Sequence, residues 1–488
     1  MDGLDPLYDE AVATFRRRLA GVVERMRVSS DPKAFCSGER ELAALAHDVA
    51  SEVTQRVVQA LSDDKVRRRD ALELVKERAA TRGIEMRTER DRRTEFRTLG
   101  GGVVGVTTSY ATARPRAGIA REKRGSQGTG VYPVLDQLGI SGRCTPALRL
   151  MVSRAVCEAN SVTSARELLD SGGVKIDHKA ALRLTYQVCD DALRARREAM
   201  REVKATVAGP FAGRVVVAAV DGGRINTRRR VAGRPRQGGR KHFQTEWREP
   251  KVLTIYVLGP DGRRDRSVLP VIDGTLGDAD AVFELLAYHL LRLGACRATE
   301  LVLVGDGAKW IWNRAQLLRE RLGLSPDAFR EVVDYFHVVE RLGQISTAQT
   351  RWSDQTRLAW LKAMKDRVKA GRIEEIERMV RGVIKGDWQA TTGDGNDDNY
   401  WERNKDRMRY DAFRAQGIPI GSGAVESSVR RVVNLRMKGA SILWTEDHAE
   451  GVLHLRAHAK SGRWHELEHD VLTHSRWRPT SRGARQAA

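Results

Sequence analysis

The sequence predicts a mixed α/β core, interrupted by a helical insertion and preceded by mainly helical regions. Three observations predict it. The apolar runs Val215–Val220 and Leu301–Val304 are short enough for buried strands, and each stops at an aspartate, Asp221 or Asp306. Amphipathic stretches such as Ala308–Leu322, with Ile311, Ala315, Leu318 and Leu322 on one stripe, alternate with them. Upstream, Leu7, Ala11, Phe15 and Leu19, then Leu42, Leu45, Val49 and Val53, recur at helical spacing.

Taken in order, residues 1–95 read as helices with basic outer faces. After Gly100-Gly101-Gly102, residues 103–113 (VVGVTTSYATA) read as a strand or short hairpin, and the Pro, Gly and basic stretch 115–130 as a linker. Helical periodicity returns from Thr145 to Val207. Ser161–Asp170, a glycine turn and Asp177–Val188 outline a helix-turn-helix with Lys179 and Arg183 on the second helix, although plain helix packing gives the same outline. Then come strands at Val215–Val220, Val252–Leu258 and near Ser267–Ile272, a helix at Asp280–Leu293, a strand at Leu301–Val304, the helix Ala308–Leu322, and a short strand Glu331–Phe336 leading into another helix. Three antiparallel strands followed by helix, strand, helix, strand, helix is the order of an RNase H-like fold. Charged helices near 353–369, 372–385 and 400–413, with a polar loop Thr391–Asn399, read as an insertion, and Ala424–Leu435 as a helix that resumes the core. The expected division is therefore 1–110, 111–143, 144–208, 209–345, 346–418, 419–465 and a basic tail 466–488.

Composition narrows the function. The 488 residues are 41% hydrophobic and 31% charged, as in a globular chain, and no apolar run approaches the roughly 20 residues of a membrane helix. The acidic start MDGLDPLYDE has no apolar core, so no signal peptide and a cytoplasmic, nucleoid-associated location are expected. Five scattered cysteines without a CxxC argue against a disulfide framework or a zinc ribbon. The net charge of +21 favours a polyanionic partner, above all nucleic acid.

Asp221 and Asp306 at strand tips could be turn residues, but two such carboxylates on neighbouring strands can share hard divalent cations. Two ions about 4 Å apart can serve an in-line displacement at phosphorus. Glu426, in Gly-Ser-Gly-Ala-Val-Glu-Ser, is the candidate third carboxylate; it could equally be a helix-dipole partner with Ser422 as cap. From Asp221 to Lys251 inclusive, ten Lys/Arg stand against three acids. Arg224, Arg228, Arg229, Arg230, Arg234, Arg236, Arg240 and Lys241 there would track a phosphate backbone as an exposed loop, with Arg430 and Arg431 beyond Glu426 as further contacts. Asp334 and His337 could brace the metal site or touch DNA. Trp310, Trp312 and Trp444 suit base stacking or core packing alike.

Several motifs then align in order: DGGRI (221–225), WREPKVLTIYVL (247–258), DGTLGDADAVF (273–283), GDGAKWIWNR (305–314), VVDYFHVVE (332–340) and GSGAVESSVRRVVNLRMKG (421–439). Over about residues 95–465 the chain resembles bacterial insertion-sequence DDE transposases of the Kra-type group, related to the Mutator-like superfamily. The resemblance implies an RNase H-like core with Asp221, Asp306 and Glu426 as the DDE triad, two Mg²⁺ or Mn²⁺ ions, and Asp334 and His337 as an acid-x-x-His motif. Many relatives carry a cysteine-rich segment before the stretch that reads LDQLG here (135–139); this chain has no cysteine there. The expected activity is binding of the element's terminal repeats, 3′-end cleavage and strand transfer into target DNA, by an oligomer when DNA is bound. A catalytically silent DNA-binding derivative and a nuclease on the same core are the alternatives.

Overall fold

A computed structural model describes residues 6–28, 31–113, 130–231, 242–383, 400–439, 442–474 and 476–477. The chain divides into two compact units, Met1–Ala192 with Glu468–Ala488, and Leu193–Leu467. It is mixed α/β, and no helix among the described residues is long and apolar enough to cross a membrane.

The first unit begins with α1 (Pro6–Val28), α2 (Pro32–Asp63) and α3 (Lys65–Ala80). Asp31 and Asp64 cap α2 and α3 with their side chains. Next come β1 (Met86–Arg97), β2 (Val103–Ala113) and β3 (Gly130–Val131), a sheet in that order, then α4 (Pro133–Gln137), α5 (Pro146–Glu158), α6 (Val162–Ser171) and α7 (His178–Glu202). Residues 86–95, expected to be helical, are the strand β1. Its run of charges masks the pattern, but Met86 and Phe96 bury at its ends and antiparallel pairing with β2, across a bulge between Glu89 and Arg92, decides the conformation.

Within the expected linker, residues 130–143 are packed: Val134 and Leu135 are buried and Asp136 pairs with Arg78 at 2.6 Å. The helix-turn-helix outline corresponds to α6 and α7, whose Ala165, Leu169 and Leu184 share a core with Leu148 and Val152 of α5. Lys179 is exposed there, while Arg183 donates to the Gly142 carbonyl at 3.1 Å.

The second unit carries β4 (Val215–Gly222), β5 (Ile225–Arg230), β6 (Phe243–Arg248), β7 (Lys251–Val257) and β8 (Val271–Thr275). They are followed by α8 (Ala279–Arg292), β9 (Glu300–Gly305), α9 (Lys309–Leu322), β10 (Phe329–Val333) and α10 (Tyr335–Ala348). The main sheet has the order β10-β9-β4-β7-β8. β4, β9 and β10 are mutually parallel, whereas β7 runs antiparallel to both β4 and β8. Unbroken apolar runs such as Val216–Val220 and Leu301–Val304 are buried at every position, as expected of strands covered on both faces. The third strand starts at Val271 rather than near Ser267, and the strand before α10 stops at Val333, because Asp334 caps that helix through Oδ1.

The expected insertion contains α11 (Asp354–Lys369), α12 (Ile373–Val383), α13 (Tyr400–Asn404) and α14 (Tyr410–Ala415); the loop Thr391–Asn399 lies outside the described residues. Tyr410 ties this segment to the sheet by donating its hydroxyl to the Val333 carbonyl at 2.8 Å. The chain then returns as α15 (Gly423–Val429), against β4 and β7, α16 (Glu446–Ser461), against β8, and α17 (Trp464–His474).

Candidate functional site

Strand register brings the acidic residues together. β4 and β9 pair with Ala219 opposite Val304, and β9 and β10 with Gly305 opposite Val333. Carrying both registers forward sets Asp221, Asp306 and Asp334 level at the carboxyl ends of three adjacent parallel strands. Neighbouring strands lie about 4.8 Å apart. The strand order also reverses between β4 and β9, and the crevice beyond such a reversal is where open α/β sheets bind ligands.

Glu426 reaches this edge through the turn before α15. Tyr335, at the start of α10, donates its N–H to the Ile420 carbonyl at 2.8 Å, and the Ser422 N–H donates to Asp334 Oδ2. Ser422, which the sequence offered as a helix cap, instead donates its hydroxyl to Glu426 Oε1 at 3.2 Å. The serine thus orients the Glu426 carboxylate, a role only the folded chain reveals.

Each acid has a different environment. Asp334 is fully buried, and its Oδ1 accepts the N–H groups of Phe336 (2.5 Å) and His337 (3.2 Å). Its own N–H bonds the Gly305 carbonyl at 2.8 Å. Through these bonds Asp334 braces β9, α10 and the turn at Ser422. Asp306 is half-buried and accepts the Ala308 N–H at 2.9 Å, which turns the chain into α9. The following Gly307 has φ +87°, and a Cβ there would sit 2.8 Å from the Tyr400 hydroxyl, so the turn requires glycine.

Burial pushes the Asp221 carboxyl up to about 6, and the charges of Asp306 and Glu426 push the same way, against the Gly222 N–H bond and His337. Asp221, Asp306, Glu426 and His337 therefore share one electrostatic neighbourhood. Asp334, His337 and Glu426 each offer a ligand atom, all within 4.8 Å of one another. This donor set, two carboxylates with one imidazole, could hold a divalent metal ion.

The flanks of the basic stretch after Asp221 form a ribbon: β5 and β6 pair antiparallel from Ile225 opposite Arg248 to Arg230 opposite Phe243, and residues 232–241 between them lie outside the described residues. Arg224, Arg228 and Arg229 are exposed, Arg230 lies at the end of β5, and Arg234, Arg236, Arg240 and Lys241 lie outside the described residues. Beyond Glu426, Arg430 is exposed, whereas Arg431 donates to the carbonyls of Ser427 and Lys460, both at 3.3 Å. Trp312 and Trp444 are buried, the latter with its indole N–H on the Met437 carbonyl at 3.0 Å, so neither presents a face to a base. Trp310 is half-buried edge-on to Phe283.

One strand acid does not join this group. Asp273 on β8 is fully buried and accepts bonds from His289 Nε2 (2.9 Å), His454 Nδ1 (3.0 Å) and Arg196 (3.1 Å). Burial opposes its ionisation, but His454, Arg196 and the imidazole hydrogen bonds outweigh that and hold it well below the usual carboxylate range. It is a structural counter-ion linking β8, α8, α16 and the last turns of α7. No protein-family model, curated protein or solved structure matches the chain.

Proposed function

We propose that the chain is a DDE transposase of the Kra-type insertion-sequence group, cutting and joining DNA at Asp221, Asp306 and Glu426 on an RNase H-like core. The observation that carries the reading is the convergence of strand-end carboxylates with Glu426 at the carboxyl edge of one sheet. The fold assignment is supported by a five-stranded sheet whose second strand alone is antiparallel and whose fourth and fifth strands lie on the other side of the first. A net charge of +21 and a ribbon exposing Arg224, Arg228 and Arg229 directly after Asp221 support a polyanionic substrate.

Asp221, Asp306 and Glu426 would hold two Mg²⁺ or Mn²⁺ ions, with His337 beside them. Such ions supply Lewis-acid stabilisation of the attacking and leaving oxygens of an in-line displacement. The chain's own residues do the positioning. Asp334 fixes the turn that delivers Glu426, Ser422 orients its carboxylate, and the arginines of the ribbon take the phosphates flanking the scissile bond. In the first step water forms a P–O bond and the 3′ oxygen leaves. In the second that 3′-OH attacks a phosphodiester of target DNA, again forming one P–O bond and breaking one. Work on two ends calls for an oligomer.

The test is nicking of supercoiled plasmid in Mg²⁺ or Mn²⁺. The parent protein is expected to nick, and Asp221→Asn to lose nicking while retaining DNA binding. Undiminished nicking by Asp221→Asn refutes the assignment, and nicking without any joined product identifies a nuclease instead.

A further inference from the structure

The β5–β6 ribbon has a feature that phosphate contact does not use. Phe243 and Trp247 are 49% and 51% exposed, an unusual state for two large aromatic rings on one short strand. They stand four residues apart, hence on the same face of β6, about 13 Å from each other. Trp247 is opposite Asn226 and Thr245 opposite Arg228, so this face also carries an exposed arginine. On the other face Ile225 and Thr227 of β5 are buried, and the free edge of β5 is held by the Trp444 backbone, whose carbonyl accepts the Arg228 N–H at 2.7 Å and whose N–H donates to the Asn226 carbonyl at 3.2 Å. The Arg224 guanidinium lies 4.8 Å over the ring of Trp247, backing one side of the indole while half of the residue stays open to solvent.

From this geometry we infer that the ribbon is a stacking platform for unpaired bases of single-stranded DNA, with Trp247 as its principal ring. The inference rests on the reading of the neighbouring acidic site as one that acts on DNA. An intact duplex hides the faces of its bases in the stack, so open aromatic faces fit only bases that have left it; the arginines serve the backbone of the same strand. Arg224 is three residues from Asp221, so the platform would hold strands opened beside the scissile bond.

The test uses the full chain in EDTA, where no cleavage intervenes, with a short single-stranded oligonucleotide carrying 2-aminopurine and with the same sequence as a duplex. Trp247→Ala is expected to weaken single-strand binding about 10-fold, the effect of losing one base–aromatic stack, and to abolish quenching of the 2-aminopurine. Trp247→Phe is expected to restore most of both, and duplex affinity to change little. Because Trp247 is exposed, the melting temperature of the alanine variant should match the parent's. Parent-like single-strand binding by Trp247→Ala overturns the inference, as does an equal loss for single strand and duplex. So does a shift from dimer to monomer with binding intact, which would make the ribbon an interface between copies. Failure of the plasmid-nicking test would count against the acidic site, whereas failure here counts against the platform alone.

Discussion

Replacing Asp221 with asparagine removes a charge that the folded chain accommodates poorly. Burial, with Asp306 and Glu426 nearby, moves this carboxyl from its ordinary 3.8 to about 6. At about 1.4 kcal/mol per pH unit, ionisation is therefore disfavoured by roughly 3 kcal/mol relative to the unfolded chain. A folded-state value above the unfolded one contributes stability that is fully present below pH 3.8 and lost as the pH rises through about 6. Above about pH 7 in EDTA, Asp221→Asn should thus be more stable than the parent by up to about 3 kcal/mol, the gap closing toward about pH 4. Adding Mn²⁺ should stabilise the parent and erase the advantage of the variant, because a cation that binds only the folded chain adds its binding energy to stability. The assay is urea unfolding followed by circular dichroism across a pH series, with and without metal. A variant no more stable than the parent, or a gap that ignores pH, would show that the Asp221 carboxyl is not held at this desolvated sheet edge and would refute the reasoning.

Three further outcomes follow from particular contacts. Asp273→Asn removes the buried carboxylate that accepts from Arg196, His289 and His454 and leaves Arg196 paired with Glu450 alone, and should cost about 3 kcal/mol of stability in the same unfolding assay. Burial pushes His289 and His458 down to about 4, so the unfolded chain binds protons first; in the Asp221→Asn background, stability should fall as the pH drops from about 6.5 to about 4. Mutating either histidine to glutamine should flatten that slope. Ser422→Ala removes the hydroxyl that orients Glu426 and should lower plasmid nicking about 5-fold, as for a lost hydrogen bond of about 1 kcal/mol, with the melting temperature falling by only about 2 °C.

Much of the sheet was legible because its strands are buried on both faces. Val215–Val220 and Leu301–Val304 announce themselves by continuous apolar sequence, and their terminal aspartates by the glycine that follows. The spacing was informative in a way that became visible only with the register. The 85 residues from Asp221 to Asp306 and the 28 from Asp306 to Asp334 are the two parallel pairing offsets. What stayed hidden depends on partners far away in sequence. β1 is a charged run that becomes a strand only by pairing with β2, and β6 lies inside what reads as a polar loop. Asp273 looks like another strand-end acid until His454, 181 residues on, and His289 close around it. Ser422 reveals its role only through Asp334, 88 residues earlier. Trp247 carries no sequence signal distinguishing it from the buried Trp312 and Trp444, because exposure is a property of the ribbon it sits on.

The central claim is that Asp221, Asp306 and Glu426 form one site that cuts and joins DNA. The measurement that tests it most directly is Mg²⁺-dependent joining of a DNA end, taken from the sequence flanking this coding region, to a target plasmid. The parent should yield covalently joined product, while Asp306→Asn and Glu426→Gln should each abolish joining and nicking yet bind the end with unchanged affinity. Joined product from either variant at the parent's rate would contradict the account.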